Sequence, residues 1–184
     1  MNKIQIGLVV GSLRKASINR QLAHAVIKLA PADVSFKFIE IGDLPLYNQD
    51  DDDHQSDSVK RMKQEVAACD GVLFITPEYN RSVPGVLKNA LDHGSRPPGQ
   101  NSWGGKPAAI MGLSPSPVGT ALAQQHLRLV LATLDMPTLG QPEMFLQMKE
   151  GFFDADGSIS TGGQKFFRGW MDRLVAWMSA HQKA

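Results

Sequence analysis

Apolar and polar positions along the chain fall into two alternating rhythms. Short runs, apolar throughout or at every second residue, read as strands. These are IQIGLVV (4–10), VSFKFIEI (34–41), GVLFIT (71–76) and PAAIMGL (107–113), with a short fifth strand expected within PTLGQPEMFL (137–146). Between them apolar residues recur every three or four positions. Leu22, Ala25, Val26 and Leu29 form one such stripe, from Asn19 to a stop at Pro31. Val59, Met62, Val66 and Cys69 form another in 58–70, and 84–94, 121–135 and 164–182 repeat the pattern. Pro84 suits a first helical turn and Gly94 a C-cap. Gly157, Gly162 and Gly163 are expected to loosen the approach to the last helix.

Five strands alternating with five helices call for a parallel sheet covered on both faces and joined by right-handed crossovers. The continuous apolar run 71–76 suits a central strand. In an open parallel sheet, ligands bind beyond the carboxyl ends of the strands. The informative loops are therefore 11–19, 76–83 and 113–119.

Composition narrows the class. A length of 184 residues fits one domain spanning 1–184, and 42% hydrophobic with 20% charged residues is ordinary for a globular protein. The formal net charge of +1 gives no nucleic-acid footprint. The stretch Ile4–Val10 is too short to span a bilayer, and no small-residue cleavage site follows it, so neither a membrane anchor nor a signal peptide is expected. The single cysteine, Cys69, excludes an internal disulfide and fits a cytoplasmic protein.

The first loop reads GSLRKASINR (11–20). It has neither the three glycines of a dinucleotide fingerprint nor the Gly-Lys-Ser/Thr of a triphosphate loop. A phosphate monoester remains possible. The helix N-terminus offers unpaired N–H groups, Ser12, Ser17 and Asn19 offer neutral donors, and Arg14 offers a two-pronged charged one. Equally, Ser17 or Asn19 caps the helix and Arg14 is solvated. The second loop, TPEYNRSVPG (76–85), begins where Pro77 must end the strand. Tyr79 has a flat face suited to an aromatic ligand or to a neighbouring side chain. The third, GLSPSPVGT (112–120), is stiffened by two prolines; Ser114 and Ser116 are its possible donors, and Gly119 lets the next helix start close by.

GSLRKASINR, TPEYNRSVPGVLKNALD, the GKP that opens the fourth strand, and QHLR resemble the NADPH-dependent FMN reductases, a flavodoxin-like group that includes quinone and chromate reductases. The similarity runs from about Ile4 to Glu143. It implies a flavodoxin-like three-layer α/β sandwich with a five-stranded parallel sheet in order 2-1-3-4-5 and FMN at its carboxyl edge. By the resemblance, Ser12, Arg14, Ser17 and Asn19 hold the FMN phosphate, with backbone contacts at most from Lys15, Ala16 and Ile18. Pro77, Glu78, Tyr79 and Asn80 line the ring, and Ser114 approaches its other edge. The implied activity is ping-pong hydride transfer from NADPH or NADH to FMN and on to a small-molecule acceptor such as a quinone, flavin, azo dye or metal oxyanion. The implied assembly is a homodimer or homotetramer. Leu122 and Gln125 stand where some relatives carry Arg and Tyr, which puts a tetramer contact through those residues in doubt. Arg81 sits where relatives vary; a solvated arginine is the expectation, with contact to an NADPH phosphate the alternative.

A flavodoxin-type FMN electron carrier, without a nicotinamide reaction of its own, is the competing reading. Such carriers tend to be strongly acidic, and the near-neutral charge here counts against it. A phosphoacceptor signalling domain would need an Asp after the third strand, where Thr76 and Pro77 stand. The run Asp50–Asp53 with His54 lacks the spacing of a calcium loop and is expected to be solvated. Cys69 is expected to be small packing. His126 is expected to be a packed or surface histidine in the fourth helix. Phe166, Phe167, Trp170 and Trp177 are expected to serve the core or a subunit interface.

Overall fold

The computed structural model describes residues 4–181. Its elements follow in the order β1 (Ile4–Val10), α1 (Ile18–Ile27), β2 (Val34–Phe38), a 3-10 turn (Gln49–His54), α2 (Asp57–Ala67), β3 (Gly71–Ile75), α3 (Gly85–Ser95), β4 (Ala108–Ser114), α4 (Ala121–Thr133), β5 (Met144–Gln147) and α5 (Thr161–Ala180). All strand pairs are parallel, in the order β2-β1-β3-β4-β5, as the resemblance implies.

The sheet is covered on both faces. Leu22 and Val26 of α1 and Phe167, Trp170, Leu174 and Met178 of α5 pack with Ile6, Leu8 and Leu73 on one side. Met62 and Val66 of α2, Leu87 and Leu91 of α3, and Leu127 and Leu131 of α4 pack with Val9, Val72 and Phe74 on the other. Every residue of β3 is buried, as its unbroken apolar run requires. Each such side chain contributes about 1.5–3 kcal/mol, so the sheet is held by its core and its carboxyl edge is free to carry polar loops. Val10 pairs with Ile75, and Ile75 with Met111. This register brings the ends of β1, β3 and β4 level, and with them the three loops.

Several boundaries differ from the sequence reading. Strand β2 ends at Phe38, yet Ile39 and Ile41 are 2% exposed, because they continue inward to the α2–α3 side after the ladder stops. Pro84 is the N-cap of α3 rather than a first-turn residue, and Gly94 lies inside that helix. A Cβ on Gly94 would stand 2.1 Å from Trp103 Nε1, so the glycine there makes room for an indole and not for a helix end. Strand β5 is four residues long. Helix α5 begins at Thr161, with Gly162 and Gly163 within its first turn. Its expected last residue, Gln182, falls outside the described residues.

The acidic run is not simply solvated. It forms the 3-10 turn, and Asp52, 11% exposed, receives Arg96 at 2.6 Å. Cys69 is buried packing, and burial pushes its thiol pKa up, away from nucleophile chemistry. Phe167 and Trp170 belong to the core, Trp177 is half-buried against it, and Phe166 is exposed. No helix among the described residues is long and apolar enough to cross a membrane.

Candidate functional site

Helix α1 starts where the chain leaves β1. Ser17 is its N-cap, and its hydroxyl accepts from Arg20 N at 3.2 Å. The hydroxyl proton remains available to a ligand. The N–H groups of Ile18 and Asn19 have no partner within the helix and carry the positive end of its dipole. Ser12, 6% exposed, makes no side-chain hydrogen bond among the described residues. The guanidinium of Arg14 is exposed and likewise without a protein partner among them.

Asn19 is spent differently. Its Nδ2 donates to Leu113 O and its Oδ1 accepts from Leu113 N, both at 2.9 Å, and the residue is 2% exposed. It ties α1 to the end of β4. One amide N–H and its backbone N–H remain for a ligand.

In the second loop β3 ends at Ile75, and the chain turns sharply over Tyr79–Ser82. Tyr79 N donates to Ser82 O at 3.1 Å and Ser82 N to Tyr79 O at 3.0 Å. Asn80 and Arg81 between them both take positive φ, of 50° and 65°. Tyr79 is 45% exposed. Glu78 points to α4, whose N-cap Thr120 makes no side-chain cap and whose first turn holds no acid. The Glu78 carboxylate fills that role, accepting from Leu122 N at 3.0 Å and Ala123 N at 3.1 Å. Arg81, 68% exposed at its side chain, lies 3.6 Å from the same carboxylate.

The third loop closes the other side. Ser114 is the last residue of β4, and its Oγ accepts from Ser116 N at 3.1 Å. Gly119, at φ 64°, lies against the β5 backbone, where a Cβ would meet Phe145 C at 2.8 Å.

These elements form one open cleft. It is lined by Ser12, Arg14, Ser17, Ile18, Asn19, Pro77, Glu78, Tyr79, Leu113, Ser114 and Pro115. Eight of the nine candidate residues are therefore together; Asn80 sits at the tip of the Tyr79 turn, outside the lining. A second depression, on the far side of Arg14 and Tyr79, passes Leu13, Pro84, Gly85 and Val86. The donor set fits a phosphate monoester with an aromatic group attached. Its lining combines nearly buried hydroxyls, a helix N-terminus and a guanidinium without a partner among the described residues with the flat surfaces of Pro77, Tyr79 and Pro115.

Two partners of the second loop escaped the sequence. One is the Glu78 cap on α4. The other is His126, a surface residue whose Nδ1 lies 3.0 Å from Ser82 Oγ. Both contacts join residues 44 positions apart, and no local spacing announces them.

A parallel sheet in this order, with a cleft of hydroxyl, amide and guanidinium donors beside a tyrosine at its carboxyl edge, is the flavodoxin-like architecture. The model of the NADPH-dependent FMN reductases matches residues 4–151, and the chain belongs to that family. It is similar to the 2-hydroxy-1,4-benzoquinone reductase of a Burkholderia species, with 53% identity over 95% of this chain and 96% of that one. A quinone reductase of Pseudomonas putida is 44% identical over 96% of each chain. Among solved structures, the FerB flavoenzyme NAD(P)H:(acceptor) oxidoreductase of Paracoccus denitrificans superposes with a TM-score of 0.93. It is 43% identical, and the match covers 98% of this chain and 100% of that one. The chain is an FMN-dependent NAD(P)H oxidoreductase.

Proposed function

We propose that the cleft seats FMN by its phosphate at Ser12, Arg14, Ser17, Asn19 and the N-terminus of α1, with Pro77, Glu78, Tyr79, Asn80 and Ser114 around the ring. The Arg14 guanidinium, without a partner among the described residues and lining one cleft with two nearly buried hydroxyls, is the observation that carries this reading. Bound FMN supplies a ring that takes a hydride from NAD(P)H and returns two electrons to an acceptor. The protein fixes and shields that ring. Arg14 offers two parallel charged hydrogen bonds, Ser17 and Ser12 orient the phosphate, and Tyr79 walls the aromatic end. Glu78 acts through α4 and holds the loop that carries Tyr79.

We further propose a ping-pong order, in which NAD(P)H and a quinone acceptor of the benzoquinone type use one opening in turn. The depression beyond Arg14 and Tyr79, with Leu13 and Val86 on its wall, supports this. The names of the relatives point to the same acceptor class. We also propose a homodimer or homotetramer, supported by apolar side chains left outside, among them Val118 and, along the outer face of α4, Leu122 and the 71%-exposed Leu129. We place the protein in the cytoplasm, where NAD(P)H is held and a free thiol such as Cys69 stays reduced.

Anaerobic addition of NADPH to the FMN-loaded protein tests the activity. The visible flavin absorbance should bleach and then return on adding 1,4-benzoquinone. Bound FMN that NADPH leaves yellow would favour the electron-carrier alternative.

A further inference from the structure

We infer that α4 is the template for the Tyr79 turn and that His126 is a positioning residue for the aromatic wall of the cleft. This rests on the flavin reading above for its consequence, but not for its geometry. Two successive residues with side chains, Asn80 at φ 50° and Arg81 at φ 65°, sit in the left-handed region. Asparagine tolerates that region; arginine does so only at a cost, and such backbone persists where its surroundings over-determine it. The single bridge between Tyr79 and Ser82 closes the turn but does not anchor it to the fold.

Helix α4 provides the anchor at both ends. On the entry side Glu78 accepts from Leu122 N and Ala123 N. On the exit side Ser82 Oγ meets His126 Nδ1 at 3.0 Å. His126 lies four residues beyond Leu122, hence one turn along the same face. The strained residues thus hang between two ties to consecutive turns of one helix. That helix is itself fixed to the sheet by Leu127 and Leu131. Tyr79, at the start of the turn, takes its place in the cleft from this arrangement. His126 lines neither the cleft nor the neighbouring depression, and its side-chain hydrogen bond among the described residues is to Ser82, through which it acts.

Four variants decide the point: His126→Ala, Ser82→Ala, the double variant, and His126→Asn, whose amide reaches the place of Nδ1. Amide hydrogen exchange at Tyr79 and Ser82 in the flavin-free protein reads the turn directly. Both alanine variants should speed it by about two- to tenfold, the scale of one partly exposed hydrogen bond. The double variant should match the single ones, and His126→Asn should restore wild-type exchange. In the loaded enzyme the same alanine variants should raise the FMN Kd and the quinone KM by a similar factor, with kcat and the melting temperature little changed. Unaltered exchange in His126→Ala, additive effects in the double variant, or no rescue by Asn would each overturn the inference. A wild-type protein that takes up no FMN would instead overturn the proposed function, and the exchange result would still decide this one.

Discussion

Arg14→Ala is expected to weaken FMN binding by about 10- to 150-fold, equivalent to about 1.5–3 kcal/mol for a hydrogen bond to a charged group. The melting temperature of the flavin-free protein should not move. The two halves of this result have separate causes. Ser12 and Ser17 offer neutral donors, so Arg14 supplies the full positive charge among the four phosphate candidates, and its planar fork matches two phosphate oxygens at once. Yet the guanidinium is exposed and has no ion pair or hydrogen bond among the described residues, so its removal breaks nothing in the fold. Arg14→Lys should fall between the two, since it keeps the charge and loses the fork. Fluorescence titration with FMN measures the affinities. An unchanged Kd would return Arg14 to the solvent.

The second large effect is on stability. Gly112→Ala is expected to cost about 3 kcal/mol or more, as overpacking does where the neighbours cannot yield. The added Cβ would stand 2.1 Å from Thr120 Oγ1 and 2.2 Å from Thr76 O. Neither can retreat easily. Thr76 N donates to Met111 O at 3.0 Å and its Oγ1 to Pro77 O at 2.8 Å, while Thr120 Oγ1 accepts from Gln124 Nε2 at 2.8 Å. All three residues are buried beneath the second and third loops, so the methyl group would also spread the cleft. Gly85, on the same edge at the start of α3, is the control: a Cβ there meets nothing within 4 Å. Gly85→Ala should hold or slightly raise the urea midpoint, and Gly112→Ala should lower it sharply. Equal midpoints would mean that the sheet gives way at Gly112.

How far the sequence was legible follows from the range of each interaction. The alternation of apolar runs and helical stripes is local, and it located five strands, five helices and the three loops of one edge. Ser17 as a cap and Pro77 as a strand end are local too, and both stand. What failed was set by distant partners. Gly94 looks like a helix end until Trp103 is placed against it. Asp52 looks solvated until Arg96 arrives from 44 residues away. Trp103, between α3 and β4, is fully buried beside Phe74, a packing that its own sequence neighbours do not announce. At the site the division is the same. The donors of GSLRKASINR were visible as residue types. The tie of Asn19 to Leu113 and the turning of Glu78 to α4 depend on pairings across the sheet edge, which spacing does not encode.

The central claim is that the turn after β1 is a phosphate seat, and comparison of FMN with riboflavin as ligands of the wild-type protein tests it most directly. The two share a ring and differ by the phosphate. Two or more charge-assisted or helix-terminal hydrogen bonds to that group predict FMN affinity at least about 100-fold above that of riboflavin. Equal affinities would show that the ring alone is recognised and that Ser12, Arg14 and Ser17 do no more than shape the start of α1.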